Sequence, residues 1–163
     1  MSQLGMSGEW TFAALCTSPQ AKYKANVNRP TNDQRGWDYF IEISPENKNT
    51  TADNEIQVVQ CLAQIKTSRQ KSKVVRLKLS NALKAAQTPF PTFIFLLLYQ
   101  NDTTSPKIFG RHVWKQEITN WLRNARERSA SGNVRLNKIE IPVQFNASDE
   151  IFQPPSDWMG VVA

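Results

Sequence analysis

The chain is 163 residues long, the size of one domain, and its 40% hydrophobic and 21% charged residues make an ordinary globular composition able to bury a core. A net charge of +6 and a pI near 9.5 make a polyanion a natural partner without proving one. One histidine and two cysteines outside any CxxC pairing argue against zinc, no GxxxxGK loop offers nucleotide hydrolysis, and the longest apolar run, FIFLLLY at 93–99, is too short to span a bilayer.

The opening MSQLGMSGEW has neither a basic start nor an apolar run, so no signal peptide is expected. Cys16 and Cys61 sit in apolar surroundings, as reduced, buried thiols of a cytoplasmic protein do. GEWTFAALCTS, 8–18, predicts a helix with Phe12, Ala13 and Cys16 on its apolar face; Glu9 shares that face, three residues before Phe12. NVNRPTNDQRG, 26–36, reads as a loop. DYFIEIS, 38–44, alternates as a strand does, SPENKNTTADN, 44–54, is a polar connection, and IQVVQCLAQIK, 56–66, is a second and mostly apolar strand. These two strands predict a hairpin.

KVVRLKLS, 73–80, reads as a third strand, with Ser80 placed to cap a short helix, NALKAAQ, that TPFP ends. TFIFLLLY, 92–99, is wholly apolar, the mark of a strand buried on both faces. QNDTTSPK is a loop. WKQEITNWLRNARERSA, 114–130, predicts a helix with Trp114, Ile118, Trp121 and Leu122 on one face. VRLNKIEIPVQF, 134–145, predicts another strand, and residues 146–163 look irregular. The order predicts one α/β domain, a central mixed β-sheet flanked by helices on both sides. The tail PPSDWMGVVA, without a clear final element, reads as a domain cut from a longer chain, of which 1–163 is the N-terminal part, or as a subunit that docks on a partner.

In CLAQIK, 61–66, an amide and a cation enter a strand that otherwise belongs in a core. Alternation puts Gln64 and Lys66 on one face and Ala63 and Ile65 on the other. Asp38 opens the preceding strand, after the turn Arg35-Gly36-Trp37, so the hairpin brings it toward Gln64 and Lys66 at one end of the sheet. An aspartate, an amide oxygen and a lysine there make a hard-cation site with an ammonium beside it, a set suited to phosphodiester hydrolysis. Glu9, on the inner face of the first helix, completes it. Glu42, at i+4 from Asp38, is a further ligand candidate or a solvated strand residue. His112, the only histidine, reads as a hydrogen-bonded structural residue.

GWDYFIEI, with Gln64 of AQIKTS twenty-six residues after Asp38, resembles the PD-(D/E)XK nuclease superfamily. More closely it resembles the Mrr-type branch, where glutamine replaces the second acidic residue to give Asp…Gln-x-Lys. With the apolar strand after a Pro-containing turn, the pattern is similar to the double-strand DNA endonuclease domains of bacterial anti-phage effectors. The resemblance runs from about Glu9 to Tyr99. It implies a restriction-endonuclease-like fold and Mg²⁺-dependent cleavage of duplex DNA, with Mn²⁺ as a substitute. It implies Glu9, Asp38 and Gln64 as metal ligands and Lys66 as the residue that positions the attacking water. A sensor domain or partner subunit of a defence complex, in the cytoplasm, is the implied setting. Gln64 is a neutral ligand, so a silent nucleic-acid-binding module or an interaction subunit of the same fold is the alternative.

Lys66, Arg69, Lys71, Lys73, Arg76 and Lys78 fall within thirteen residues that contain no acid. Such a run is either a solvated face or a track for a phosphate backbone. The abundance of such cations, with no recognition helix evident, implies low sequence specificity. Arg123, Arg126 and Arg128 form a second cluster, whose simpler reading is favourable charge at a helix C-terminus.

Overall fold

The computed structural model describes residues 3–30, 36–45, 58–69, 72–100, 105–130, 132 and 135–162. A first helix, α1 (Gln3–Cys16), leads into three antiparallel strands, β1 (Tyr23–Asn28), β2 (Tyr39–Pro45) and β3 (Val59–Ser68). The chain then leaves the sheet for β4 (Val74–Lys78) and α2 (Leu79–Gln87), and returns as β5 (Thr92–Leu98), parallel to β3. The strand β6 (Lys107–Val113) turns back beside it, followed by α3 (Lys115–Ala130), β7 (Glu140–Gln144), a short β8 (Glu150–Ile151) and α4 (Pro155–Val162). One six-stranded sheet has the order β1-β2-β3-β5-β6-β8, and β4 pairs with β7 in a separate ribbon. The expected mixed sheet with helices on both sides is what the chain forms.

The reason lies in β5. All seven of its residues are buried. Phe93, Phe95 and Leu97 pack on one side with Phe12 and Cys16 of α1, Ile41 of β2 and Met159 of α4. Ile94, Leu96 and Leu98 pack on the other with Leu79 and Ala82 of α2, Trp121 and Ala125 of α3, and Val75, Leu77, Ile141 and Val143 of the ribbon. A strand with layers on both faces has no solvent side, so its apolar residues run without interruption. A parallel return to β3 requires a crossover, which β4 and α2 provide.

Several elements differ from expectation. β1 begins before the expected loop and reaches Asn28, its residues alternating half-buried and exposed. β6 was not expected as a strand; at Gly110 an added Cβ would lie 3.1 Å from both Phe95 and Trp158, so those rings cover it. The tail is not irregular, because α4 buries Met159 and sets Trp158 edge-on to Phe93 and Phe95. Ser80 does not cap α2; it lies within the helix, and Lys78 occupies the cap position without a side-chain bond. β4 is no third strand of the main sheet, and the final long strand shortens to β7 behind a turn of 3-10 helix at Leu136–Lys138. On α3, Trp114 is exposed ahead of the helix, which buries Trp121 and Ala125.

Cys16 and Cys61 are buried and unbridged, and burial pushes both thiols up, Cys61 to about 12. Among the described residues no helix is long and apolar enough to cross a membrane.

His112 is held by stacking. Its ring lies 4.7 Å from Phe93 and 5.1 Å from Trp114, centroid to centroid. Its Nε2 is enclosed without a hydrogen-bond partner among the described residues, so the expected bond is not made there. Burial lowers its pKa from the ordinary 6.5, with Glu117 pulling weakly the other way. The unfolded chain therefore takes up this proton at a higher pH than the folded one. Stability from this group is complete above about pH 6.5 and is lost as the pH falls toward the lowered folded value, by at most about 1.4 kcal/mol per pH unit. His112→Phe is expected to flatten the fall in Tm between about pH 7 and 5.5. A calorimetric series showing the same slope in both proteins would contradict this.

Candidate functional site

The expected hairpin is present. β2 and β3 pair from Ile43 opposite Val59 to Tyr39 opposite Ala63, and beyond Tyr39 the strands part. Asp38 takes over the ladder at that point. Its N–H donates to the Ala63 carbonyl at 2.9 Å, and its Oδ2 accepts the Ile65 N–H at 2.6 Å. A β3 donor that has lost its partner strand is thus satisfied by a carboxylate, a charge-assisted bond. The carboxylate is held in the plane of the sheet, in the notch where the strands diverge. Gly36 makes the preceding turn with φ 87°, in the left-handed region, and its face meets the Asn81 side chain of α2.

Gln64 and Lys66 stand opposite Ile94 and Leu96 of β5. Facing residues on paired strands share a side, so both point to the side covered by α2 and α3. Ala63 and Ile65 point to the α1 side. The alternation read from the sequence holds. Gln64 is only 8% exposed, and no described residue hydrogen-bonds its amide. Its amide atoms are not among those enclosed without a partner, so they keep some access to water. Lys66 is half-buried and forms no ion pair among the described residues.

Glu9 reaches the same end of the sheet from the other side. There α1 crosses β3 closely, since a Cβ on Gly8 would overlap Thr67 Oγ1, itself enclosed without a hydrogen-bond partner among the described residues. The approach buries Glu9 to 6% exposure. The Glu9 backbone carbonyl accepts the Tyr39 hydroxyl at 3.0 Å, and its carboxylate accepts from Arg29 Nη2 at 2.9 Å. The Tyr39 phenol is pushed up, first by burial and then by the charges of Glu9 and Asp38, while Arg29 opposes. The hydroxyl bond sets Glu9 over Tyr39 on the α1 side, and Asp38 precedes Tyr39 in the chain. The strands therefore bring Asp38, Gln64 and Lys66 to one end of the sheet, while Glu9 lies on the opposite, α1 side of it, engaged by Arg29.

Glu42 is hydrogen-bonded by Gln60 at 3.0 Å and Asn26 at 3.4 Å in a cross-strand ladder farther along β2. It is a strand residue away from the notch. The basic run divides. Arg69 is exposed beyond the end of β3, and Lys71 lies outside the described residues. The Lys73 ammonium sits 4.5 Å from the Phe109 ring centroid. Arg76 and Lys78 are exposed on the outer face of β4, with Arg76 3.9 Å from Glu140. They face outward from the ribbon and do not extend the face that carries Gln64 and Lys66. Arg123, Arg126 and Arg128 are exposed on α3. A cavity of about 850 Å³ between α3 and β7 includes Arg111, Arg123 and Arg128 in its lining but none of the notch residues.

Among the described residues no three His, Cys, Asp or Glu side chains cluster as a metal group. The donors at the notch are the Asp38 carboxylate and the Gln64 amide, with the Glu9 carboxylate across the sheet, an all-oxygen set suited to a hard cation and unsuited to a soft one. The Gln64 amide, which no described residue hydrogen-bonds, has an oxygen that fits such an occupant. Arg29, Tyr39 and Gly8 were missed by sequence reasoning. For Arg29 the signal was present: extending the alternation of Tyr23, Ala25 and Val27 by one step places it on the α1 side.

The Gly8 contact is testable. Gly8→Ala is expected to push α1 off β3 and lower stability by about 1–3 kcal/mol, the usual cost of overpacking. Adding Thr67→Ala should recover most of the loss. Thermal unfolding of both variants checks this, and an equal loss with and without Thr67→Ala would contradict it.

Comparison with known protein families, with curated proteins and with solved structures finds no match to this chain.

Proposed function

We propose that the protein is a Mg²⁺-dependent endonuclease of PD-(D/E)XK type that cuts duplex DNA with low sequence specificity, as the effector of a bacterial anti-phage system. The observation that carries the reading is the notch. A carboxylate is clamped in the sheet plane where β2 ends, beside an amide and an ammonium two residues apart on β3. In this reading Asp38 and Gln64, with Glu9 across the sheet, hold the cation. When bound, Mg²⁺ or Mn²⁺ supplies Lewis acidity and neutralises charge at the phosphate.

The chain's own residues do the rest. The Ile65 N–H fixes the Asp38 carboxylate, so no reorganisation is needed when substrate arrives. Lys66, which forms no ion pair among the described residues, presents its ammonium to the attacking water and the phosphate. Gln64 contributes an oxygen without charge, so cation affinity is weaker than a third carboxylate would give. The net charge of +6 and exposed Arg69, Arg76 and Lys78 supply attraction to phosphate that carries no sequence information. A sensor domain or partner subunit is the source of activation in this reading.

One observation favours a second reading, a silent nucleic-acid-binding module. Glu9 is already neutralised by Arg29, and Gln64 stands where an acidic ligand is usual in the superfamily the motif resembles. Nicking of supercoiled plasmid in Mg²⁺ or Mn²⁺, beside duplex binding in Ca²⁺, separates the two. Cleavage supports the nuclease, and binding without cleavage supports the silent module. Absence of both leaves an interaction subunit and rejects the proposal.

A further inference from the structure

Arg29 is the residue near the notch for which the proposed chemistry gives no role. It lies one position past β1 and pairs with a residue twenty positions earlier in the chain. The Glu9 side chain is 7% exposed and that of Arg29 47%. A carboxylate so far from water needs a positive partner, and its burial is costly without one. One partner is enclosed and the other stands half in water. Arg29 is therefore the more exposed partner of the pair, while the α1–β3 contact at Gly8 and the Tyr39 hydroxyl hold the Glu9 backbone in place.

We infer that Arg29 is an exchangeable counterion: it neutralises Glu9 in the cation-free protein and yields that carboxylate to a divalent cation entering the notch. This rests on reading the notch as a cation site. Arg29 and the cation satisfy the same buried charge, so each opposes the other. The ion pair is then a built-in resistance to cation binding, and displacement frees a guanidinium at the edge of the site. Arg29 is a positioning residue on this account, acting through Glu9. Were it only a clamp between β1 and α1, its charge would have no effect on cation affinity.

The test measures Mn²⁺ binding to the full chain without DNA, by titration calorimetry and by the spin resonance of free Mn²⁺. Arg29→Met keeps the apolar stem and removes the charge. It is expected to bind Mn²⁺ about tenfold more tightly than wild type, to melt lower in chelator, and to gain more in Tm from saturating Mn²⁺. Glu9→Gln in the Arg29→Met background should cancel the gain in affinity and restore the Tm in chelator. Arg29→Lys keeps the charge but loses the planar fork, and should bind Mn²⁺ between the other two. If Arg29→Met does not fold without cation, Arg29→Lys against wild type carries the comparison. Equal Mn²⁺ affinity across wild type and both Arg29 variants would overturn the exchange and leave a clamp. Failure of the wild type and every variant to bind Mn²⁺ would overturn the cation site itself, and the exchange with it.

Discussion

Asp38→Asn is expected to abolish divalent-dependent cleavage while leaving the folded chain intact. Asparagine has nearly the same shape, and its side-chain oxygen can still accept the Ile65 N–H that Asp38 accepts at 2.6 Å. What it loses is the charge that holds a hard cation. Asp38→Ala removes charge and acceptor together. It would orphan a backbone donor at a cost of about 1–3 kcal/mol, and so mixes a stability loss with the chemical one. Cleavage assays of both variants, each with a melting curve, separate the effects. Full activity in a folded Asp38→Asn protein would remove Asp38 from the site.

The second large effect belongs to Lys66. Its ammonium has no carboxylate partner among the described residues, so its charge is available to substrate. Charge near the reacting phosphate matters more in the transition state than in the ground state. Lys66→Ala is expected to lower the single-turnover rate at saturating Mg²⁺ by roughly a hundredfold or more, with only a slight loss of DNA affinity measured in Ca²⁺. Lys66→Arg should not rescue it, because a planar guanidinium does not replace a compact ammonium in a half-covered position. Parallel loss of binding and rate would make Lys66 one more backbone contact.

The legible parts of this chain were those with local, periodic signals. The unbroken TFIFLLL marked the strand between two layers, and DYFIEIS with IQVVQCLAQIK marked the hairpin. Two polar residues at the end of that hairpin, out of place in a core strand, marked the notch. Period two alone set which face Gln64 and Lys66 share. The rest depended on contacts that spacing does not encode. β1 was hidden because Asn26 and Asn28 are loop residues by composition, though they stand on its exposed side. β6 was hidden by Gly110, which Phe95 and Trp158 cover. α4 is the exception: its residues read as irregular, although Pro155 and Asp157 in its first turn form a start pattern that is readable in sequence. Asp157 also accepts the backbone N–H groups of Lys22 and Tyr23 at 3.0 and 2.9 Å, fixing the start of β1. The pairing of Glu9 with Arg29 was not legible, since no local periodicity links residues on different elements. The basic run was legible as charge but not as surface, because the chain turns out of the sheet after Ser68 and carries Arg76 and Lys78 to the ribbon.

The most direct measurement is a crystal of the chain soaked in Mn²⁺, with the anomalous signal collected at the manganese edge. The account predicts a peak in the notch between the Asp38 carboxylate and the Gln64 amide oxygen, with Arg29 turned away from Glu9. A notch without a peak, with the Gln64 amide bonded to the protein and the Arg29–Glu9 pair closed at saturating Mn²⁺, would contradict it.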